Sequence, residues 1–134
     1  MTVQDQDAPS AVAMTIGEVG LLHIRSRPEV DFTIIEAQEA LNWAGQLTGN
    51  QPKPFLVNLS GTSRVSVRVF RHLATNVTPS EAVALAVVVD SFVVANIGRV
   101  VWGLNQPKIP MRVYTTTSEA MEWLTGHRLS LIHI

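Results

Sequence analysis

"AVALAVVVD", Ala82 to Asp90, is an uncharged run closed by a single aspartate. Its apolar side chains fall on odd and even positions alike, so neither face is left for water. A strand of that kind belongs in the middle of a sheet covered on both sides, as parallel strands are when crossover helices lie over them. The flanking sequence fits this role. Downstream, Ser91 starts a helix, "SFVVANIGRVVWGL" to Leu104, "NQPKIP" breaks it, and "MRVYT" (Met111–Thr115) reads as another strand. Thr116 with Glu119 then caps a last helix through "SEAMEWL".

Upstream, "FLVNL" (Phe55–Leu59) is a short strand, and Ser66 is placed to cap a helix to about Asn76 that buries Phe70, Leu73, Ala74 and Val77. Before that, Thr33 and Glu36 make a capping box for a helix whose Ala37, Ala40, Leu41, Ala44 and Leu47 share one face, stopped by Gly49. "RPEVDF" (Arg27–Phe32) is a connector. "AVAMTI" and "LLHIRS", joined by "GEVG" (Gly17–Gly20), alternate around a glycine-bounded turn as a β-hairpin. The order ββαβαβαβα predicts an α/β protein: a single mixed, mostly parallel sheet with an N-terminal antiparallel hairpin and covering helices. Residues 1–10 read as a polar tail, 11–125 as the domain, and 126–134 as a tail or an added strand.

Composition narrows the classes. A chain of 134 residues, 46% hydrophobic and 16% charged, has the content of one folded domain. A net charge of -1 offers no basic field for nucleic acid. With Cys 0, disulfides, thiolate metal sites and thiol catalysis are all excluded. Asp90 and Arg99 interrupt the most apolar region, so no membrane span is expected. "MTVQDQDAPS" lacks the basic and apolar regions of a secretory signal, which predicts a cytoplasmic protein.

The quoted blocks also carry a resemblance. "FLVNLSG", "VALAVVVDSFVVANIGRVVWGLNQPKIPMRVYTT" and "EAMEWL" resemble the STAS domain of bacterial anti-sigma-factor antagonists, and more narrowly the uncharacterised bacterial SpoIIAA-like proteins, over residues 11 to 125. The resemblance implies a protein-interaction or regulatory module with an unidentified protein partner. In the antagonists, an Asp-Ser pair opens the helix after this loop, and a partner kinase phosphorylates its serine. Here Ser66 and Val67 stand at those places, so the pair is absent. STAS domains also resemble the Sec14-type lipid-carrier core, which implies the alternative of a carrier for a small apolar ligand or an anion.

Two regions hold the candidate sites. Ligands of open parallel sheets bind beyond the carboxyl ends of the strands. There the loop of Ser60, Thr62, Ser63, Arg64, Ser66 and Arg68 is either an anion or phospho-switch site or a set of helix caps, and Asp90, Ser91, Thr115 and Thr116 complete the same edge. The helix Ser91–Leu104 is apolar around nearly its whole circumference. Phe92, Val93, Ile97, Val100, Val101 and Trp102 are therefore buried in the monomer, paired in a two-fold homodimer, or lining an apolar groove. No G-x-S-x-G, P-loop, G-x-G-x-x-G or H-E-x-x-H spacing occurs, so no catalytic residue, metal site or cofactor is expected. His23 is expected to face outward on a hairpin strand. His72 lies on a helix, and His127 and His133 lie in the tail. Trp43, Trp102 and Trp123 sit at core-like helical positions.

Overall fold

The computed structural model describes residues 12–17, 20–28, 30–62 and 64–132, with side chains through residue 126. The apolar run forms β6 (Ala82–Val88), lying between β4 (Lys53–Asn58) and β7 (Met111–Tyr114) and parallel to both. On its far side β4 pairs in parallel with β2 (Leu22–Ser26), which forms the antiparallel hairpin with β1 (Val12–Ile16), so the sheet order is β1-β2-β4-β6-β7.

The two faces of β6 divide the core. Leu85, Val87 and Val89 meet α1 (Ile34–Thr48), α2 (Arg68–Asn76) and α3 (Phe92–Asn105), whereas Ala84, Ala86 and Val88 meet Ala120 and Leu124 of α4 (Thr117–Ile132). That is the reason the run shows no polar alternation. The helix α1 begins after Thr33, whose backbone N–H and hydroxyl both donate to the Glu36 carboxylate, and it ends at Gly49 with φ 65°. It buries Ala37, Ala40 and Ala44, small side chains that let it lie close to the sheet.

Several boundaries differ from expectation. The connector and the serine-rich loop each contain a short strand, β3 (Asp31–Phe32) and β5 (Arg64–Val65), which pair in parallel. Phe32, 1% exposed, anchors that pair in the core. The helix α2 opens at Arg68, later than a Ser66 cap would place it, although Ser66 Oγ still accepts from the Arg68 N–H at 3.3 Å. At the C-terminus the backbone does not form an added strand: α4 continues as helix to Ile132, through residues with no proline to stop it. The polar tail at 1–10 lies outside the described residues. Among the described residues, no helix is long and apolar enough to cross a membrane.

Candidate functional site

At the carboxyl end of β4, Asn58 folds the chain back on itself. Its buried Oδ1 accepts from the Ser60 N–H at 3.0 Å and from the Ser60 hydroxyl at 2.6 Å. Thr62 donates its hydroxyl to the Leu59 carbonyl at 2.7 Å. Gly61, at φ 83°, takes a backbone shape that favours glycine, and its N–H reaches Asp90 Oδ2 at 2.7 Å. The Asp90 carboxylate thus ties the loop after β4 to the loop after β6. Ser66 then hands its N–H to the Phe32 carbonyl at 2.9 Å, fixing the far side of the loop to β3.

Between these loops lies a small pocket of about 280 Å³, lined by Thr62, Arg64, Asp90 and Ser91 over Leu59 and Val94. Each of these hydroxyls is engaged at its own junction: Ser60 with the Asn58 side chain, Thr62 with the Leu59 carbonyl, Ser66 with the Arg68 N–H at α2, and Ser91 accepting from the Val94 N–H at 3.3 Å. A carboxylate also stands where an incoming anion would meet the Gly61 N–H. The geometry is that of a braced loop presenting the exposed Arg64 and Arg68. Ser63 lies outside the described residues. Val67, where the antagonists carry their phosphoserine, is 43% exposed and has no hydroxyl.

Thr115 and Thr116 sit apart from this loop pair. Thr116 Oγ1 donates to Glu119 Oε1 at 2.7 Å and so caps α4, the helix on the opposite face of the sheet. Of the loops named from sequence at this edge, the Asp90 clasp joins the first two, and the third faces the other layer.

The apolar helix divides cleanly. Ala95, Gly98 and Trp102 face inward, and Trp102, 5% exposed, donates Nε1–H to the Phe70 carbonyl at 2.7 Å and meets the Phe70 ring edge-on at 5.4 Å. Trp102 therefore belongs to the core, where the Phe70 carbonyl satisfies its indole N–H. Val101 is half-buried beside it. Outward stand Phe92 (72% exposed), Val93 (69%), Ile97 (37%), Val100 (62%) and Leu104 (79%). Leu104 was missing from the expected set. The small residues Ala95 and Gly98, spaced with Trp102, are the sequence signal that marks the inner face.

The space beneath α3 is filled by Phe70 and Trp102. An open groove of about 640 Å³ lies instead beside the helix, between its C-terminal half and the free side of β7, lined by Trp102, Gly103, Ile109, Met111 and Tyr114. Arg99 bridges its wall, donating to the Val113 carbonyl at 3.0 Å and to Asn96 Oδ1 at 2.9 Å.

His23 is half-buried rather than outward-facing. On β2 it stands beside Leu56, on the α4 side of the sheet, and its Nε2 has no hydrogen-bond partner among the described residues. Burial, and then the nearby Arg25, push its pKa below the usual histidine value. His72 lies on α2 with Asn76 Nδ2 at 3.2 Å, whereas the His127 side chain and His133 lie outside the described residues. Trp43 and Trp123 are half-buried packing residues, the latter with Arg112 over its ring at 5.5 Å.

Comparison with known proteins bears on this architecture. A family described as "Domain of unknown function (DUF7793)" matches residues 14–128. No curated protein matches the chain. Among solved structures, an uncharacterised protein of the DUF3478 family with a SpoIIAA-like fold, from Shewanella loihica PV-4, matches with a TM-score of 0.57 at 12% identity. The match covers 85% of this chain and 92% of that one. A protein with unknown function from Arthrobacter sp. FB24 is 23% identical over 90% of this chain and 98% of that one, with a TM-score of 0.36. The first of these shows that the fold is SpoIIAA-like.

Proposed function

The chain belongs to the DUF7793 family, and from that premise we propose that it is a non-enzymatic protein-interaction module of regulatory type, docking through the loop Ser60–Arg68 and the first turn of α3. The observation that carries this reading is the Asp90–Gly61 clasp. It braces two adjoining loops into one surface, and Arg64 lines the same small pocket as Ser91 at the start of α3, with Phe92 exposed on that helix and Val67 exposed on the loop. A braced, mixed-charge surface next to exposed apolar side chains suits a protein partner, since apolar anchors rimmed by polar groups carry most binding energy in such contacts. The absence of catalysis is part of the proposal: Asp90, the acid at this edge, is engaged by the Gly61 N–H, and the hydroxyls of Thr62 and Ser91 beside it are bonded to backbone groups.

The test is affinity capture from the cells that make the protein, comparing wild type with the Arg64→Ala/Arg68→Ala variant and with Glu39→Ala on α1 as a control. A partner lost from the double variant and kept by the control supports the reading. Identical captures from all of them end it.

A second reading, a carrier of a small apolar molecule, is favoured by the groove beside β7, whose lining includes Trp102, Ile109 and Met111. Native mass spectrometry of gently purified protein decides it through the presence or absence of a retained small mass.

A further inference from the structure

The outward residues of α3 are spaced for a helix partner. Val93, Ile97, Val100 and Leu104 follow one another at steps of 4, 3 and 4, the alternation that keeps a narrow seam on one side of a helix. Ala95, Gly98 and Trp102 lie on the opposite side, locked in the core, so the fold itself holds the seam outward. Beside the seam stand Asn96, Gly103 and the half-buried Val94 and Val101, none of them charged.

We propose that this seam pairs with the same seam of a second copy, the two α3 helices running antiparallel about a two-fold axis near Gly98. Self-complementarity argues for that occupant. In the antiparallel register Val93 meets Leu104 of the second copy and Ile97 meets Val100 of the second copy, so each layer joins a valine to one larger aliphatic and all layers have similar bulk. A parallel register sets each residue against itself and alternates wide and narrow layers. A two-fold axis also brings every nearby charge close to its own copy, which like charges resist. The seam residues meet that requirement by carrying none, and Arg99, the charge on the helix itself, is drawn to Asn96 and the Val113 carbonyl. A partner steered by charge has nothing to read along the seam, and antiparallel helices place opposite dipole ends together. The helix, 14 residues and about 21 Å long, is already ordered by the core, so pairing costs little conformational entropy. This proposal does not depend on the docking loop.

Sedimentation equilibrium of the full chain across a concentration series is expected to show a reversible species of twice 14.7 kDa. Val100→Glu, at a 62% exposed position where the monomer is expected to stay folded by circular dichroism, is expected to weaken dimerisation by about 30-fold or more. Ile35→Lys on α1, where the side chain is 66% exposed, should leave it unchanged. With Cys 0 in the natural chain, engineered thiols report the register unambiguously. Val93→Cys/Leu104→Cys is expected to give a disulfide-linked dimer on mild oxidation, and Val93→Cys alone is not. A chain that stays monomeric throughout the series, or is held to a lipid or to another protein in place of its copy, overturns the proposal. So does a Val93→Cys variant that cross-links as readily as the double variant.

Discussion

Phe70 lays its ring against the bare α-carbon of Gly98, so closely that a β-carbon built there would lie 2.6 Å from Phe70 Cε1. The ring has no room to yield. It is fully buried, and Trp102 stands edge-on to it with an interplanar angle of 78°. This contact positions α3, and with it the outward seam.

Gly98→Ala therefore sets two effects in opposition. Alanine favours a helix interior by about 1 kcal/mol over glycine. Forcing a methyl group into a packed core costs about 1–3 kcal/mol. The clash is expected to prevail, so the midpoint of thermal unfolding should fall by several degrees at about 3 °C per kcal/mol for a chain of this size. An unchanged or raised midpoint would show that α3 has space to move off Phe70.

The Asp90 clasp is open to a local test. Its bond to the Gly61 N–H is exposed, and a bond of that kind contributes about 0.5–1.5 kcal/mol net. Asp90→Ala should speed hydrogen exchange at the Gly61 amide by about 3- to 10-fold with little change in global stability, while Asp90→Asn, which keeps an acceptor, should do less. Equal exchange in all the proteins would mean that Asn58 and the β3–β5 pair hold the loop without help.

How much of this was legible beforehand follows from the range of the interactions. The run Ala82–Val89 announced a central strand because burial on both faces leaves a local pattern, and Thr33 with Glu36 announced a helix start within a single turn. The β3–β5 pair left no such trace: Asp31 and Arg64 are far apart in the chain, and a strand of 2 residues is too short to show a period. The Asp90–Gly61 bond spans 29 residues and was equally silent, so the sequence could not show that the loop after β4 is tied to the loop after β6. On α3 the composition was plain but the orientation was not, since nearly every position is apolar. Only the small residues Ala95 and Gly98 distinguish the inner side.

The buried nitrogen of His23 makes stability depend on pH. In the unfolded chain this histidine titrates near 6.5; in the folded chain burial, and then Arg25, hold its pKa lower. The unfolded state therefore takes up a proton first on acidification. The stability contributed by neutral His23 is fully present above pH 6.5 and is lost as pH falls from there through the lowered folded value. His23→Gln should flatten this part of the profile, so the gap between wild-type and variant midpoints should narrow between pH 7.5 and pH 5.5, values chosen to bracket the ordinary histidine range. A constant gap would mean that His23 is protonated in place at no cost.

Arg99 lies over one of the two edges of the sheet. Among the described residues, β7 has β6 on one side and no strand on the other. The Pro110 and Tyr114 carbonyls face β6, where they accept from Leu85 and Val89 N–H groups at 3.0 Å, so by alternation the Val113 carbonyl faces outward. The Arg99 guanidinium occupies it at 3.0 Å while Asn96 steadies the other arm at 2.9 Å. An unpaired edge invites strands from other chains, and a charged group over it is one of the devices that refuse them. Arg99→Ala is expected to cost little in folding stability because the group is exposed, yet to raise light scattering on warming at temperatures below the unfolding midpoint. Arg99→Lys keeps the charge but cannot bridge Val113 and Asn96 together, so it should fall between the two. Equal scattering from wild type and Arg99→Ala would leave the edge guarded by the brevity of β7 and by Pro110 alone.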